Sequence, residues 1–152
     1  MQLKVWSAET GQCAATMVGH RAGDREVLTE GKLLLLGCEN SNLLAYGLQS
    51  RKKIFDVPCH GAVNCCCFLS DISAVCGTED GHLTVIDLRN PRVPLKEWKE
   101  SRSAILSVCP YNRGFWSSSG RNIVFNCIKF NQSTDGADGF GHDYLAKWKL
   151  GK

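Results

Sequence analysis

Apolar residues in this chain come in short runs broken by Gly, Asn, Asp and Pro. Val63 to Phe68, Ser73 to Gly77 and His82 to Leu88 are rich in β-branched residues, and turn formers separate them. Such runs read as strands, and the Asp80-Gly81 pair between the second and third is a hairpin signal. A weaker strand follows from Val93 to Trp98, after the Asn90-Pro91 break. No stretch shows convincing helical amphipathicity. The pattern therefore predicts an all-β fold built from units of four strands in ~40 residues each.

The unit repeats. Leu3-Lys4-Val5-Trp6-Ser7 aligns with Leu43-Leu44-Ala45-Tyr46-Gly47 forty residues on, and with Leu83-Thr84-Val85-Ile86-Asp87 forty further. A fourth copy, Ile123-Val124-Phe125-Asn126, fits if slipped by one residue, so the aromatic position reads Trp6, Tyr46, Ile86, then Phe125. At the same offset Leu33 to Gly37 matches Ser73 to Gly77 and then Arg113 to Ser117. Gly37-Cys38-Glu39-Asn40 matches Gly77-Thr78-Glu79-Asp80, and His20 matches His60. Several coincidences at one spacing mark stacked supersecondary units, none of which buries both faces alone.

The unit resembles a WD40 repeat. In that family a Gly-His precedes strand a, an Asp occupies the b–c turn and a Trp ends strand c, these polar groups bonding one another beneath the surface. The positions that carry the likeness are Trp6, His20, Tyr46, His60, Asp80 and Ile86. Every set is incomplete: Ile86 stands for Trp in one unit, and Asn40 for the turn Asp in another. The resemblance implies WD40-type β-propeller blades, about three to four repeats, with the ring not closed, since closure takes four to eight blades.

The repeats divide the chain into a WD40 region over 1–130 and a tail over 131–152. A partial blade covers 1–20, a defective blade 21–58, the best blade 59–100 and a partial blade 101–130. The defect is at Gly23-Asp24-Arg25-Glu26-Val27-Leu28, where strand a belongs: three charges in six residues do not suit a strand buried on both faces. This stretch is expected to be a junction between pieces of two repeats, and the chain a fragment or shortened product of a longer propeller. The tail is polar and Gly-rich from Asn131 to Gly141. His142 to Leu150 is expected to form one more strand or a short helix.

Composition narrows the functional classes. The net charge is +3 and the densest basic run is Arg51-Lys52-Lys53, a solvated turn and not the basic stripe that nucleic acid requires. The opening residues hold no apolar signal core, and no run approaches the ~20 residues of a membrane span. Nine cysteines, an odd number, then read as free thiols of a cytoplasmic or nuclear protein. Cys59, His60 and Cys65 to Cys67 invite a zinc reading. Adjacent strand residues point to opposite faces, however, so the three cysteines cannot converge on one ion, and they read as small packing residues. No C-x-x-C pair, G-x-S-x-G elbow or phosphate loop is present. No enzyme activity, cofactor, metal or small-molecule substrate is expected, with His20 and His60 in structural roles and His82 exposed beside its turn.

Several stretches also resemble a proteasome-associated family of WD-repeat proteins: LKVWSAETGQC (3–13), GDREVLTEGKLLLLG (23–37), GLQSRKKIFDV (47–57), NCCCFLS (64–70) and GTEDGHLTVIDLRNPRVP (77–94). The likeness covers the chain to about Gly120 and lapses beyond. It implies binding to the ATPase subunits of the proteasome's regulatory particle, as an assembly chaperone or negative regulator. A general WD40 scaffold, such as a substrate receptor of a ubiquitin ligase, is the alternative. The b–c and d–a loops of a propeller share one face, so Glu39, Asn40, Asn42, Glu79, Asp80 and His82 are the candidate partner-binding residues. Glu39 and Glu79 are expected to form an acidic rim that meets a basic surface.

Overall fold

A computed structural model describes residues 2–18, 26–30, 33–120, 122–127 and 147–149. Among them are a two-stranded hairpin and three four-stranded antiparallel sheets, each sheet a meander of strands consecutive in sequence. The hairpin pairs β1 (Gln2–Trp6) with β2 (Cys13–Val18). The second blade holds β3 (Glu26–Glu30), β4 (Leu33–Gly37), β5 (Asn42–Gly47) and β6 (Lys53–Pro58). The third holds β7 (Val63–Ser70), β8 (Ser73–Thr78), β9 (His82–Asp87) and β10 (Pro94–Lys99). The fourth holds β11 (Ile105–Tyr111), β12 (Gly114–Ser119), β13 (Asn122–Cys127) and β14 (Lys147–Lys149).

The blades stack face to face, with β7 beside β3 and β4 on one side and beside β11 on the other. Strand alternation sorts the apolar side chains into two seams. Between the second and third blades Leu35, Leu43, Ala45 and Val57 meet Cys66, Phe68, Ala74, Cys76 and Ile86. Between the third and fourth, Cys65, Cys67, Val75, Leu83 and Val85 meet Ile105, Val108 and Phe115. Central strands buried on both sides read as continuous apolar runs, which is why β7 and β8 do. The free face of the second blade carries Leu34, Leu36, Cys38 and Tyr46, against which Val5 of the hairpin packs.

The repeat glycines have a reason. A Cβ on Gly37 would lie 2.8 Å from Val63 Cγ1, and one on Gly77 2.5 Å from Ile105 Cγ2. Each glycine, forty residues from the other, receives the first side chain of the next blade's inner strand. Gly81 is required differently: it has φ +88° in the b–c turn, and a Cβ there would strike the Ser101 carbonyl.

Three expectations shift. A strand does form in the defective unit, but it begins at Glu26 and pairs with β4 through Glu30, with Leu28 opposite Leu35. Of the three charges that argued against it only Glu26 lies within the strand; 23–25 are outside the described residues. In the tail, Lys147–Lys149 pairs with β13 as the fourth strand of its blade, and 142–146 and 150 are outside the described residues. The fourth copy is not slipped at strand c: β13 lies forty residues after β9 from end to end, whereas β12 lies forty-one after β8, the turn between β12 and β13 being one residue shorter than that between β8 and β9. The position equivalent to Ile86 is therefore Asn126, fully buried, and not Phe125.

Candidate functional site

The d–a connection between the second and third blades is sewn to the b–c turns on either side. Cys59 N donates to Ser41 O at 2.8 Å, Val63 N to Cys38 O at 3.0 Å, and Glu79 N to Ala62 O at 2.9 Å. The next connection repeats the stitch, with Glu100 N donating to Gly81 O at 2.9 Å. These backbone bonds gather Glu39, Asn40, Asn42, His60, Glu79, Asp80 and His82 at one end of the blades. The c–d turns, including Arg51-Lys52-Lys53, lie at the other.

A polar network crosses the third blade at this end. Thr78 Oγ1 donates to Asp80 Oδ1, and His82 N donates to Thr78 Oγ1 at 3.1 Å. His82 Nδ1 lies 2.8 Å from Asp80 Oδ2. The His82 ring stacks on that of His60, with centroids 4.3 Å apart and planes at 21°. His60 Nε2 lies 3.2 Å from Glu97 Oε2, and Thr84 Oγ1 donates to Glu97 Oε1 at 2.8 Å. Two stacked imidazoles thus lie between two carboxylates. Partial burial works against the charge on Asp80, but the bonds from Thr78 and His82 outweigh it and hold the carboxyl below its ordinary value.

This reverses the expected histidine roles. His82 is the half-buried partner of Asp80, its side chain 17% exposed, whereas the His60 side chain is 53% exposed and reaches strand d. The cause is local. His82 opens β9 two residues after Asp80 and faces it across the turn, while Gly61 brings its backbone so near that a Cβ would lie 3.0 Å from Asp80 Oδ1. Thr78 and Glu97 were not singled out in the sequence; a Thr two residues before the turn Asp, on the same edge of the turn, is the signal that could have found the first.

The other marked positions divide. Tyr46 is buried on the face of the second blade that Val5 covers and Ile86 in the seam between the second and third, while Trp6 is 57% exposed at the end of β1, with Lys4 Nζ 6.0 Å from its ring centroid. His20 lies outside the described residues. Glu39, Asn40 and Glu79 are exposed, and Asn42 is half-buried with Nδ2 donating to Asn40 O at 3.4 Å. Cys65 and Cys67 face the fourth blade and Cys66 the second, so the strand separates them as alternation requires. Among the described residues no three His, Cys, Asp or Glu side chains are grouped to hold a metal ion.

Four-stranded meanders stacked through apolar seams, with a shared loop face and an Asp-centred turn network, define WD40-type propeller blades in an array that does not close. Solved structures agree on the fold. The mitotic checkpoint complex contains a chain matching at TM-score 0.75 and 18% identity, over 83% of this chain and 41% of that one. The computationally designed Ika8 protein matches at TM-score 0.68 and 18% identity, over 78% and 37%. No family model matches the sequence.

The sequence is similar to proteasomal ATPase-associated factor 1. It is 41% identical over 102 residues to the protein of Gallus gallus, and 40% identical over the same length to those of Bos taurus and Homo sapiens. The match takes in 67% of this chain and 26% of each relative, so the chain spans about a quarter of their length.

Proposed function

We propose that the chain is a non-enzymatic protein-binding module of the cytoplasm or nucleus. On this reading it associates with ATPase subunits of the proteasome's regulatory particle, as an assembly chaperone or a negative regulator. The observation that carries the reading is the 41% identity to a protein named for its association with proteasomal ATPases. The loop face supports it physically: rigid stacked blades present Glu39 and Glu79 exposed, in turns that backbone bonds fix to one another. Acidic groups so placed steer a basic partner and speed its association more than they tighten the complex.

Tagged chain recovered from cells and analysed by quantitative mass spectrometry is expected to enrich the proteasomal ATPases. A Glu39→Lys, Glu79→Lys double variant is expected to lose most of that enrichment and its sensitivity to salt. Recovery of ubiquitin-ligase subunits in place of the ATPases would contradict the reading. Unchanged salt dependence in the double variant would remove the acidic rim from it.

A further inference from the structure

Two thiols meet at the seam between the second and third blades, beside the histidine network, whose Glu97 and Thr84 also act on them. Cys59 follows β6 in the d–a connection, and Cys76 lies on β8. Their sulfurs are 3.7 Å apart, and Cys59 Sγ also lies 3.6 Å from Val57 O. Cys76 is fully buried, while Cys59 is only half-buried and so within reach of a small solute. Both are free thiols.

We propose that Cys59 and Cys76 are a redox modification site, forming an intramolecular disulfide by exchange with a small-molecule disulfide such as oxidised glutathione. The Cys59 thiolate attacks one sulfur of the solute, forming a mixed disulfide and releasing one solute thiolate. Cys76 then attacks Cys59 Sγ, breaking the mixed disulfide and releasing the second solute thiolate, which takes up the proton that Cys76 gives up as the first takes up that of Cys59. Two protein thiols are oxidised and one solute disulfide is reduced to two thiols, and no other reactant is needed.

The order of events follows from the surroundings. The hydrogen bond from Cys76, which outweighs burial, lowers the Cys59 thiol, so the thiol of the less buried residue is the readier thiolate. The same bond and complete burial push Cys76 well up, so it keeps its proton until an electrophile arrives beside it. The sulfurs need to close by less than about 2 Å to reach the ~2.05 Å of a disulfide. The moving partner is a connection, not a central strand. Cys59 precedes His60, and Cys59 N is bonded to Ser41 O in the neighbouring turn. The disulfide would therefore tie the loop that carries His60 to the core of the third blade. Cys66 lies directly across from Cys76 and is the competing thiol. The inference does not depend on which partner the loop face binds.

The test is a thiol map of the full chain. The folded protein is incubated with excess oxidised glutathione, the remaining thiols are alkylated, and non-reduced peptides are identified by mass spectrometry. Exposed Cys13 and Cys109 are expected to carry glutathione. Cys59 and Cys76 are expected to appear as one linked peptide pair, with alkylation lost at both and restored by dithiothreitol. In a Cys76→Ala variant glutathione is expected to persist on Cys59. Cys59 and Cys76 both alkylated while Cys13 and Cys109 are modified would overturn the proposal. So would a Cys59–Cys66 link, or glutathione persisting on Cys59 in the unaltered chain, and these readings need no variant to fold.

Discussion

Substituting Gly77 by Ala tests whether blade stacking explains the repeat. The new methyl would lie 2.5 Å from Ile105 Cγ2, 2.8 Å from Ile105 Cβ and 2.8 Å from Cys65 Sγ. Non-bonded carbons rest at about 3.5–4.0 Å, so the third and fourth blades must separate locally by about 1 Å. Neither neighbour yields easily, as Ile105 and Cys65 are both buried. Overpacking of this kind costs about 1–3 kcal/mol. The alanine recovers about 0.4–1 kcal/mol by restricting the unfolded chain. At the middle of these ranges a net loss of about 1.3 kcal/mol remains, which lowers Tm by roughly 3–5 °C in a domain of this size. Thermal and urea unfolding followed by circular dichroism measure it. A double-mutant cycle makes the result specific. Ile105→Ala removes Cγ2, the nearer of the two clashing carbons, and leaves a small residue free to shift at Cβ, so Gly77→Ala is expected to cost about 1 kcal/mol less in that background. Ile105→Val keeps both offending carbons, and no such relief is expected. Additive costs with Ile105→Ala, or an unchanged midpoint in Gly77→Ala alone, would refute the stacking account.

Other expectations follow from single sites. Gly81→Ala combines a positive φ with a strike on the Ser101 carbonyl, and is expected to cost more than about 2 kcal/mol in the same unfolding measurement. Asn126 is fully buried, with Nδ2 bonded to Ser117 Oγ at 3.0 Å and Oδ1 without a partner among the described residues. Replacing both by the residue types that pack apolar seams, Asn126→Ile with Ser117→Ala, is expected to stabilise the chain by about 1 kcal/mol, and a lowered urea midpoint would contradict this. Arg89 beside Asp87 holds its carboxyl below the ordinary value, against the opposing pull of burial. That stabilisation is complete above the unfolded carboxylate pKa of about 3.9 and is lost as pH falls through the lower folded value. Asp87→Asn should therefore lose about 1.5 kcal/mol at pH 7 and converge with the unaltered chain near pH 2, as pH-dependent urea curves would show.

Much of the fold was legible because a blade imposes its own spacing. The forty-residue offset between Gly37 and Gly77 and the Asp80-Gly81 turn are local consequences of stacking and hairpin geometry, so they survive in the sequence. The alternation of Cys65, Cys66 and Cys67 was readable for the same reason. The strand at Glu26–Glu30 was not, because a strand with glutamates at its ends and only Val27, Leu28 and Thr29 between them carries a weak pattern. The register of the fourth blade misled because its strand b runs one residue late and its b–c turn is one residue short, so strand c returns to the forty-residue offset, which alignment to the aromatic position does not reveal.

The site was harder to read than the fold. Motif position assigned the turn aspartate to His60, but hydrogen bonding is decided by geometry within the turn, and that favours His82. Glu97 reaches His60 from strand d, thirty-seven residues away in sequence, and no spacing rule links them. The exposed carboxylates Glu39 and Glu79 were placed on one face by the order of strands alone, and the structure adds the backbone bonds that hold their turns beside the shared connection.

Hydrogen–deuterium exchange on the full chain, with and without the purified ATPase ring of the proteasome's regulatory particle, tests the functional account most directly. It predicts slowed exchange at 38–42, 58–62 and 78–82, the turns and connection of the loop face. Protection confined to the opposite turns at 47–53 and 87–94, or exchange unchanged by the ATPases throughout, would contradict it.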